Sequence, residues 1–328
     1  MAPALRFPVS DHSDGRRFFN PSGQRQAAAF SALLKWSYQR LVLRRKINWP
    51  KEIPANLGVK IPQQISPGKT AVTFIGHSTF LLQQANLNLL TDPIFSERAS
   101  PLSWAGPKRV RPPALKLTEL PRVQVVLISH NHYDHLDLPT LRWLAREHQP
   151  QFITTLGNKA WLNKHGLKNV IELDWWQTHP ATAELEVIGT PAQHFSARWP
   201  WDRCQTLWGG FALKTAAKSF YFTGDSGYNH TFKEIGARLG PFDLALIPIG
   251  AYEPRWFMQP VHCTPEEAVR IHQDVGSRQS WAMHFGTFQL TDEGINDPAV
   301  ALAAARIAHN LNPTDFTVPN FGETKWVD

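Results

Sequence analysis

Cysteine is scarce in this sequence: only Cys204 and Cys263 occur in 328 residues. Two cysteines cannot build a disulfide framework. Long apolar runs are missing too. No window reaches the roughly 18 apolar residues of a membrane-spanning helix. The first fifteen residues lack the apolar stretch of a secretory signal. These absences predict a soluble cytoplasmic protein. No internal repeat is visible, and no recognised nucleic-acid-binding module is present, so nucleic acid is not an expected partner. Acidic charge is short at one end. Residues 1–60 hold eleven Lys/Arg against three Asp/Glu, a surplus of eight on a chain whose net charge is +7. The remaining 268 residues therefore sum to −1. Such a basic leader suits an anionic surface, so peripheral contact with the inner membrane face is a second expectation.

What is present is ordinary globular composition, 42% hydrophobic and 19% charged, with thirteen tryptophans. Residues 1–69 read as a leader and residues 70–328 as one compact domain. Within the leader, residues 1–27 look irregular. Residues 28–46 predict an amphipathic helix, with Phe30, Leu33, Leu34, Leu41 and Val42 close together at helical spacing. Its end, Arg40, Arg44, Arg45 and Lys46, is basic. The same pattern serves a helix on an acidic membrane or one docked on its own domain. Pro50, Pro54 and Pro62 mark an extended linker.

The chemistry concentrates in Ile128-Ser-His-Asn-His-Tyr-Asp-His-Leu-Asp137. The run 125–128 predicts a buried strand, and residues 137–148 predict a helix. His130, His132, Asp134 and His135 thus fall on a strand-to-helix loop, where polar side chains converge without disturbing a core. Three imidazoles and a carboxylate form a ligand set suited to zinc and related divalent ions. His194, Asp225 and His284 each follow a β-rich run and precede a turn. Seven ligands exceed one tetrahedral ion and suit two metals sharing a carboxylate, which would bind and deprotonate a bridging water. His77 and Asp92 sit at strand ends, either supporting the ligands from behind or shaping turns.

Strand signals continue at 71–75, 79–83, 87–91, 151–155, 170–173 and 185–188. A hairpin is expected over 207–224, a strand at 242–250 and another at 279–284. Thr264-Pro-Glu-Glu267 is a capping box that opens a helix to about Val275; His272 on it has no expected role. Residues 298–310 predict a further helix. The long loop 95–113 carries Arg98, Trp104, Lys108, Arg109 and Arg111. It reads either as a site for a phosphate-bearing ligand or as a solvated basic loop. Trp199 in Arg198-Trp-Pro-Trp201, and Tyr252, Arg255 and Trp256 in 251–258, are further candidate substrate contacts.

Taken together, Leu90-Thr-Asp-Pro-Ile-Phe-Ser96, Gly106-Pro-Lys-Arg109, the 128–137 stretch, Glu172-Leu-Asp-Trp-Trp176 and Ile249-Gly-Ala-Tyr-Glu-Pro-Arg-Trp-Phe-Met258 resemble the N-acylphosphatidylethanolamine-hydrolysing phospholipase D family of the metallo-β-lactamase superfamily. The resemblance runs from about residue 71 onward. It implies an α/β fold, the αββα four-layer sandwich. It implies two Zn2+ per chain, His130, His132 and His194 on one and Asp134, His135 and His284 on the other, with Asp225 bridging. Asp134, Asp225 and His262 would be catalytic, His262 either protonating the leaving group, holding phosphate oxygens or serving the structure. A hydroxide bridging the ions would release N-acylethanolamine and phosphatidic acid from a phospholipid substrate, in a homodimer facing the membrane. Arg198-Trp-Pro-Trp201 departs from the family pattern. The rivals are another hydrolase of the superfamily, acting on a lactone or a nucleic-acid phosphodiester, the di-iron oxygen-reducing branch, whose second cluster position is Glu where this chain has His132, and a zinc-stabilised binding protein.

Overall fold

The computed structural model describes residues 6–22, 30–42, 47–54 and 59–327. A small ribbon, β1 (Val9–Ser10) with β2 (Ser13–Asp14), and a helix, α1 (Phe30–Leu41), precede the main body. The first half of the body holds β3 (Thr70–Gly76), β4 (Thr79–Gln84), β5 (Leu87–Thr91) and β6 (Val125–Ile128). It continues through α2 (Leu138–Glu147), β7 (Gln151–Thr155), α3 (Lys159–Lys164) and β8 (Val170–Leu173). The second half holds β9 (Thr178–Pro180), β10 (Glu186–Thr190), β11 (Gly210–Lys214), β12 (Ser219–Phe222) and α4 (Thr231–Leu239). It ends with β13 (Phe242–Pro248), α5 (Arg255–Met258), α6 (Pro265–Asp274), β14 (Ser277–Met283), α7 (Asp297–Ala308), β15 (Phe316–Thr317) and β16 (Thr324–Val327).

Two seven-stranded sheets form, β16-β3-β4-β5-β6-β7-β8 and β15-β14-β13-β12-β11-β10-β9. In each, an antiparallel meander is followed by parallel strands. Two antiparallel steps restore direction, so β3, β5, β6 and β7 all run one way, as do β10, β12, β13 and β14. Their exits therefore collect at one rim of each sheet. The two inner faces share a core that includes Phe74, Phe80, Leu127, Phe211, Phe222 and Trp281. Leu141, Leu144 and Leu162 of α2 and α3 cover the outer face of the first sheet. Phe232, Ile235, Val269, Ile271 and Leu302 of α4, α6 and α7 cover the second. The architecture is thus the expected αββα four-layer sandwich. Each sheet buries both faces, so its strands read as near-continuous apolar runs rather than alternating ones.

Three departures have physical causes. First, part of the leader is bound into the body. Phe18 is buried with Trp175, Leu207 and Trp208, and His12 Nε2 meets Asp174 Oδ1 at 2.8 Å. Scattered apolar residues without a period gave no sequence signal for this. Second, α4 was not expected, because Gly236 interrupts its pattern. The glycine is required: a Cβ there would lie 2.1 Å from Asp274 O at the end of α6. Third, β9 and β15 are too short to stand out, and β16, whose Lys325 and Trp326 give no apolar run, becomes a strand by pairing with β3.

The described part of the leader helix docks on its own domain. Trp36 Nε1 donates to Asp292 Oδ2 at 3.0 Å, its ring stacks on Phe257, and Arg40 Nη1 donates to Leu290 O at 2.7 Å. Leu34 and Val42 are exposed. Arg44, Arg45, Lys46 and the helix start at 28–29 lie outside the described residues, as do the side chains of Phe30, Leu33 and Leu41.

Candidate metal centre

Each side chain of the centre hangs on a strand exit. His77 follows β3, Asp92 follows β5, and the 130–135 loop follows β6. From the facing sheet, His194 comes after β10, Asp225 after β12 and His284 after β14. His77, Asp92 and His284 have φ of 56°, 32° and 61°. Non-glycine residues held in that region store backbone strain, which clusters at functional sites. Beside Asp225, Gly224 (φ 64°) is obligatory, since a Cβ would lie 2.5 Å from Gly209 O. The glycine lets two strand ends close on each other.

The donors fall into two groups joined by one carboxylate. His130, His132 and His194 present ligand atoms within 4.8 Å of one another, and so do His77, Asp134, His135 and His284. Asp225 Oδ2 lies 3.1 Å from both His135 Nε2 and His284 Nε2, and 3.8 Å from His194 Nε2. All seven residues named from the sequence thus meet in one place, although they span 155 positions.

Protons decide whether this set fits a cation. Ser129 Oγ donates to Asp92 Oδ2 at 2.5 Å, so the 2.9 Å contact with His130 Nδ1 must be donated by His130. His194 Nδ1 faces Val261 O at 2.9 Å, and a carbonyl only accepts. Both rings therefore turn a bare Nε2 lone pair inward. These two nitrogens lie 2.8 and 3.2 Å from His132 Nδ1. A single proton on His132 satisfies only one of them well; a cation satisfies all three. Burial first of all holds His132 and His194 down to a pKa of about 3, so both rings are neutral and able to ligate.

The second group asks for positive charge. Burial works against protonation of His135 and His284, yet the Asp225 carboxylate, with Asp134, outweighs it. His135 is pushed well above the usual value and His284 to about 9. Asp225 Oδ1 is buried without a hydrogen-bond partner. A cation held here would meet the carboxylates as a protonated ring does, and the donor set fits a pair of divalent ions.

Outer residues fix the donors. Asp92 Oδ2 accepts from His135 Nδ1 at 2.6 Å, and Asp92 Oδ1 accepts from Ser129 N at 2.7 Å. His77 Nε2 meets Asp134 Oδ2 at 3.0 Å. His77 and Asp92 fill both roles open to them, supporting the ligands from behind and shaping positive-φ turns at strand ends. Sequence reasoning missed Asn20, whose Oδ1 accepts from His194 N at 2.8 Å and from Trp208 Nε1; a separation of 174 residues leaves no sequence signal for such a contact. His262 lies against the centre, grouped with His194 and Asp225, and its Nδ1 has no partner. His272, as expected, is structural, bonded to Ser280 Oγ at 2.8 Å.

Several candidate substrate contacts are engaged elsewhere. Arg109 is 7% exposed, and its guanidinium donates to Ser96 O and Ile94 O. Arg98 donates to Gly106 O and Ser103 O. These arginines brace the 95–113 loop, because a loop without regular structure leaves carbonyls that need donors. Arg255 Nη2 donates to both carboxylate oxygens of Glu267 and its Nη1 donates to His262 O at 2.7 Å, so it positions that histidine. Tyr252 is buried. Trp104, Trp199 and Trp256 are exposed, while Lys108 pairs at the surface with Glu97.

Fold and centre together define a metal-dependent hydrolase of the metallo-β-lactamase class. Residues 87–285 match the family model described as Beta-lactamase superfamily domain. The chain is 40% identical over 263 residues to N-acyl-phosphatidylethanolamine-hydrolyzing phospholipase D 1 of Caenorhabditis elegans, covering 76% of this chain and 74% of the worm protein. It is 34% identical to the mitochondrial protein of that name from Saccharomyces cerevisiae, over 77% of this chain and 54% of the yeast one. Among solved structures, Igni18, a metallo hydrolase from Ignicoccus hospitalis, superposes with a TM-score of 0.59 at 19% identity, over 79% of this chain and 99% of that one. The chain belongs to the N-acylphosphatidylethanolamine-hydrolysing phospholipase D family of this superfamily.

Proposed function

We propose that the chain is a zinc-dependent phosphodiesterase that hydrolyses N-acylphosphatidylethanolamine to N-acylethanolamine and phosphatidic acid. The observation that carries this reading is a two-group donor centre bridged by Asp225 in a chain 40% identical to a relative named for that reaction. Bound zinc ions would supply Lewis-acid polarisation and an activated water. The chain's own residues do the rest. His130, His132 and His194 would hold one ion and Asp134, His135 and His284 the other, with Asp225 between them. His262, its Nδ1 free and its backbone tied by Arg255, offers a hydrogen bond to a phosphoryl oxygen or to the leaving group. Asp92 and His77 keep His135 and Asp134 aimed.

Contact with an anionic lipid surface is part of the proposal. Leu34, Tyr38 and Val42 are exposed at spacing i, i+4, i+8 on and just after α1, an apolar stripe on a basic leader. Among the described residues no helix is long and apolar enough to cross a membrane. A second copy of the chain is the proposed partner, which sedimentation would reveal. The deciding experiment incubates zinc-loaded protein with phospholipids, lactones and nucleic acids and reads products by mass spectrometry. Release of N-acylethanolamine is expected. Turnover of another class with none of that product would replace the lipid reading with one of the superfamily rivals.

A further inference from the structure

Arg198 stands in the aromatic loop Arg198-Trp-Pro-Trp201. Its Nη1 donates to two backbone carbonyls, Asn131 O at 2.9 Å and Leu136 O at 3.0 Å. Those carbonyls bracket His132, Tyr133, Asp134 and His135, which include one donor of the first group and two of the second. The guanidinium lies between two rings, with Cζ 4.0 Å from the centroid of Tyr133 and 4.7 Å from that of Trp161. A planar, permanently charged group suits this slot, whereas an ammonium can neither stack nor span two carbonyls in the same way. The arm bearing it is itself fixed: Arg198 N and Trp199 N both donate to Asp202 Oδ1 at 2.9 Å. Four residues upstream on the same segment stands His194. One side chain from the second half of the chain thus clamps the ligand loop of the first.

We propose that Arg198 is a positioning residue that holds loop 131–136 in its metal-presenting shape, and so supports both ion sites at once. The proposal rests on the two-metal reading. It separates Arg198 from residues that back a single ligand. Of the metal-ligand candidates, Asn20 bonds His194, in the first group, so its loss bears on one group, while loss of Arg198 bears on both.

The test measures the two stepwise zinc affinities by chelator competition in wild type, Arg198→Ala, Arg198→Lys and Asn20→Ala. Melting of each metal-free protein and hydrogen exchange at amides 131–136 are recorded alongside. Both affinities should fall roughly 10–100-fold in each Arg198 variant, the scale for outer groups that orient ligands. Lysine should rescue little, and exchange in 131–136 should quicken in the zinc-loaded protein. Asn20→Ala should weaken one site only. If metal-free melting falls while both zinc affinities stay at the wild-type level, Arg198 is merely structural and the proposal is overturned. Full rescue by lysine would overturn the planar-clamp argument. Should wild type itself bind fewer than two zinc ions, the two-metal reading fails first, and the variants would not be at fault.

Discussion

The first sheet delivers His130, His132, Asp134 and His135 from one loop after β6, whereas the second delivers His194, Asp225 and His284 from three separate strand exits. In the loop, spacing is set by six consecutive residues, and one strand end aims them all. In the second sheet, each donor depends on the register of its own strand. β12, β13 and β14 are parallel neighbours, so a slip of one residue would turn a donor to the wrong face. The first half therefore encodes its share of the site locally, and the second half encodes its share through packing.

Substitutions can break or sharpen this contrast. The largest effect is expected from Asp225→Ala, since its carboxylate faces both donor groups. Metal analysis should show loss at both sites, and turnover should fall by more than the roughly 10–100-fold of an outer-group change. His132→Ala should weaken the first group more than the second. Equal loss of both ions in the two variants would dissolve the bridge assignment.

Next come paired core truncations. Trp281→Ala in β14 and Leu127→Ala in β6, both buried between the sheets, should each cost about 2–5 kcal/mol in denaturant unfolding. Trp281→Ala should also lower zinc affinity more than Leu127→Ala, because His284 sits at the end of β14 with one backbone tie, to His77 O, while the β6 loop has Arg198 and Asp92 to hold it. The reverse order would contradict the local-versus-packed distinction. Asn20→Ala removes the acceptor for the buried His194 N–H; a loss of about 1–3 kcal/mol is expected from equilibrium unfolding.

A smaller, pH-dependent effect is expected where the leader docks. Burial alone would lower the pKa of His12, but hydrogen bonds to Asp174 and Asp11 outweigh it and raise the value above 6.5. A raised folded pKa favours the protonated, folded form. Its stabilisation is complete below the unfolded value of about 6.5 and is lost as pH climbs through the higher folded value. Hydrogen exchange at residues 12–20 should quicken above that pH in wild type, and His12→Gln should flatten the dependence. The smallest effect is expected at the exposed Glu266–Arg270 pair on α6: Arg270→Ala should change stability by no more than about 0.5 kcal/mol and leave zinc affinity untouched.

Legibility followed the same division. β6, α2 and α6 lie close to where periodicity and capping put them, and the Thr264–Glu267 capping box forms as read. The four loop donors could be read because their spacing is their geometry. The three single donors could be located only as strand exits. For the arginines, sequence shows charge and not which carbonyls lie within reach. Arg109 and Arg98 were read as anion contacts and satisfy loop backbone, and Arg255 pairs with the half-buried Glu267 carboxylate.

By itself, then, the sequence determined the four-donor loop, most strands and the class of chemistry, since these rest on residue type and on spacings shorter than a turn. Tertiary structure alone decided the rest. It placed Asp225 between two donor groups and set Asn20 behind His194. It turned β16 into a strand against β3, and it ran Arg198 across to the loop at 131–136. The physical reason is that these contacts join segments tens to hundreds of residues apart, and no local pattern records which strand exits will share a rim.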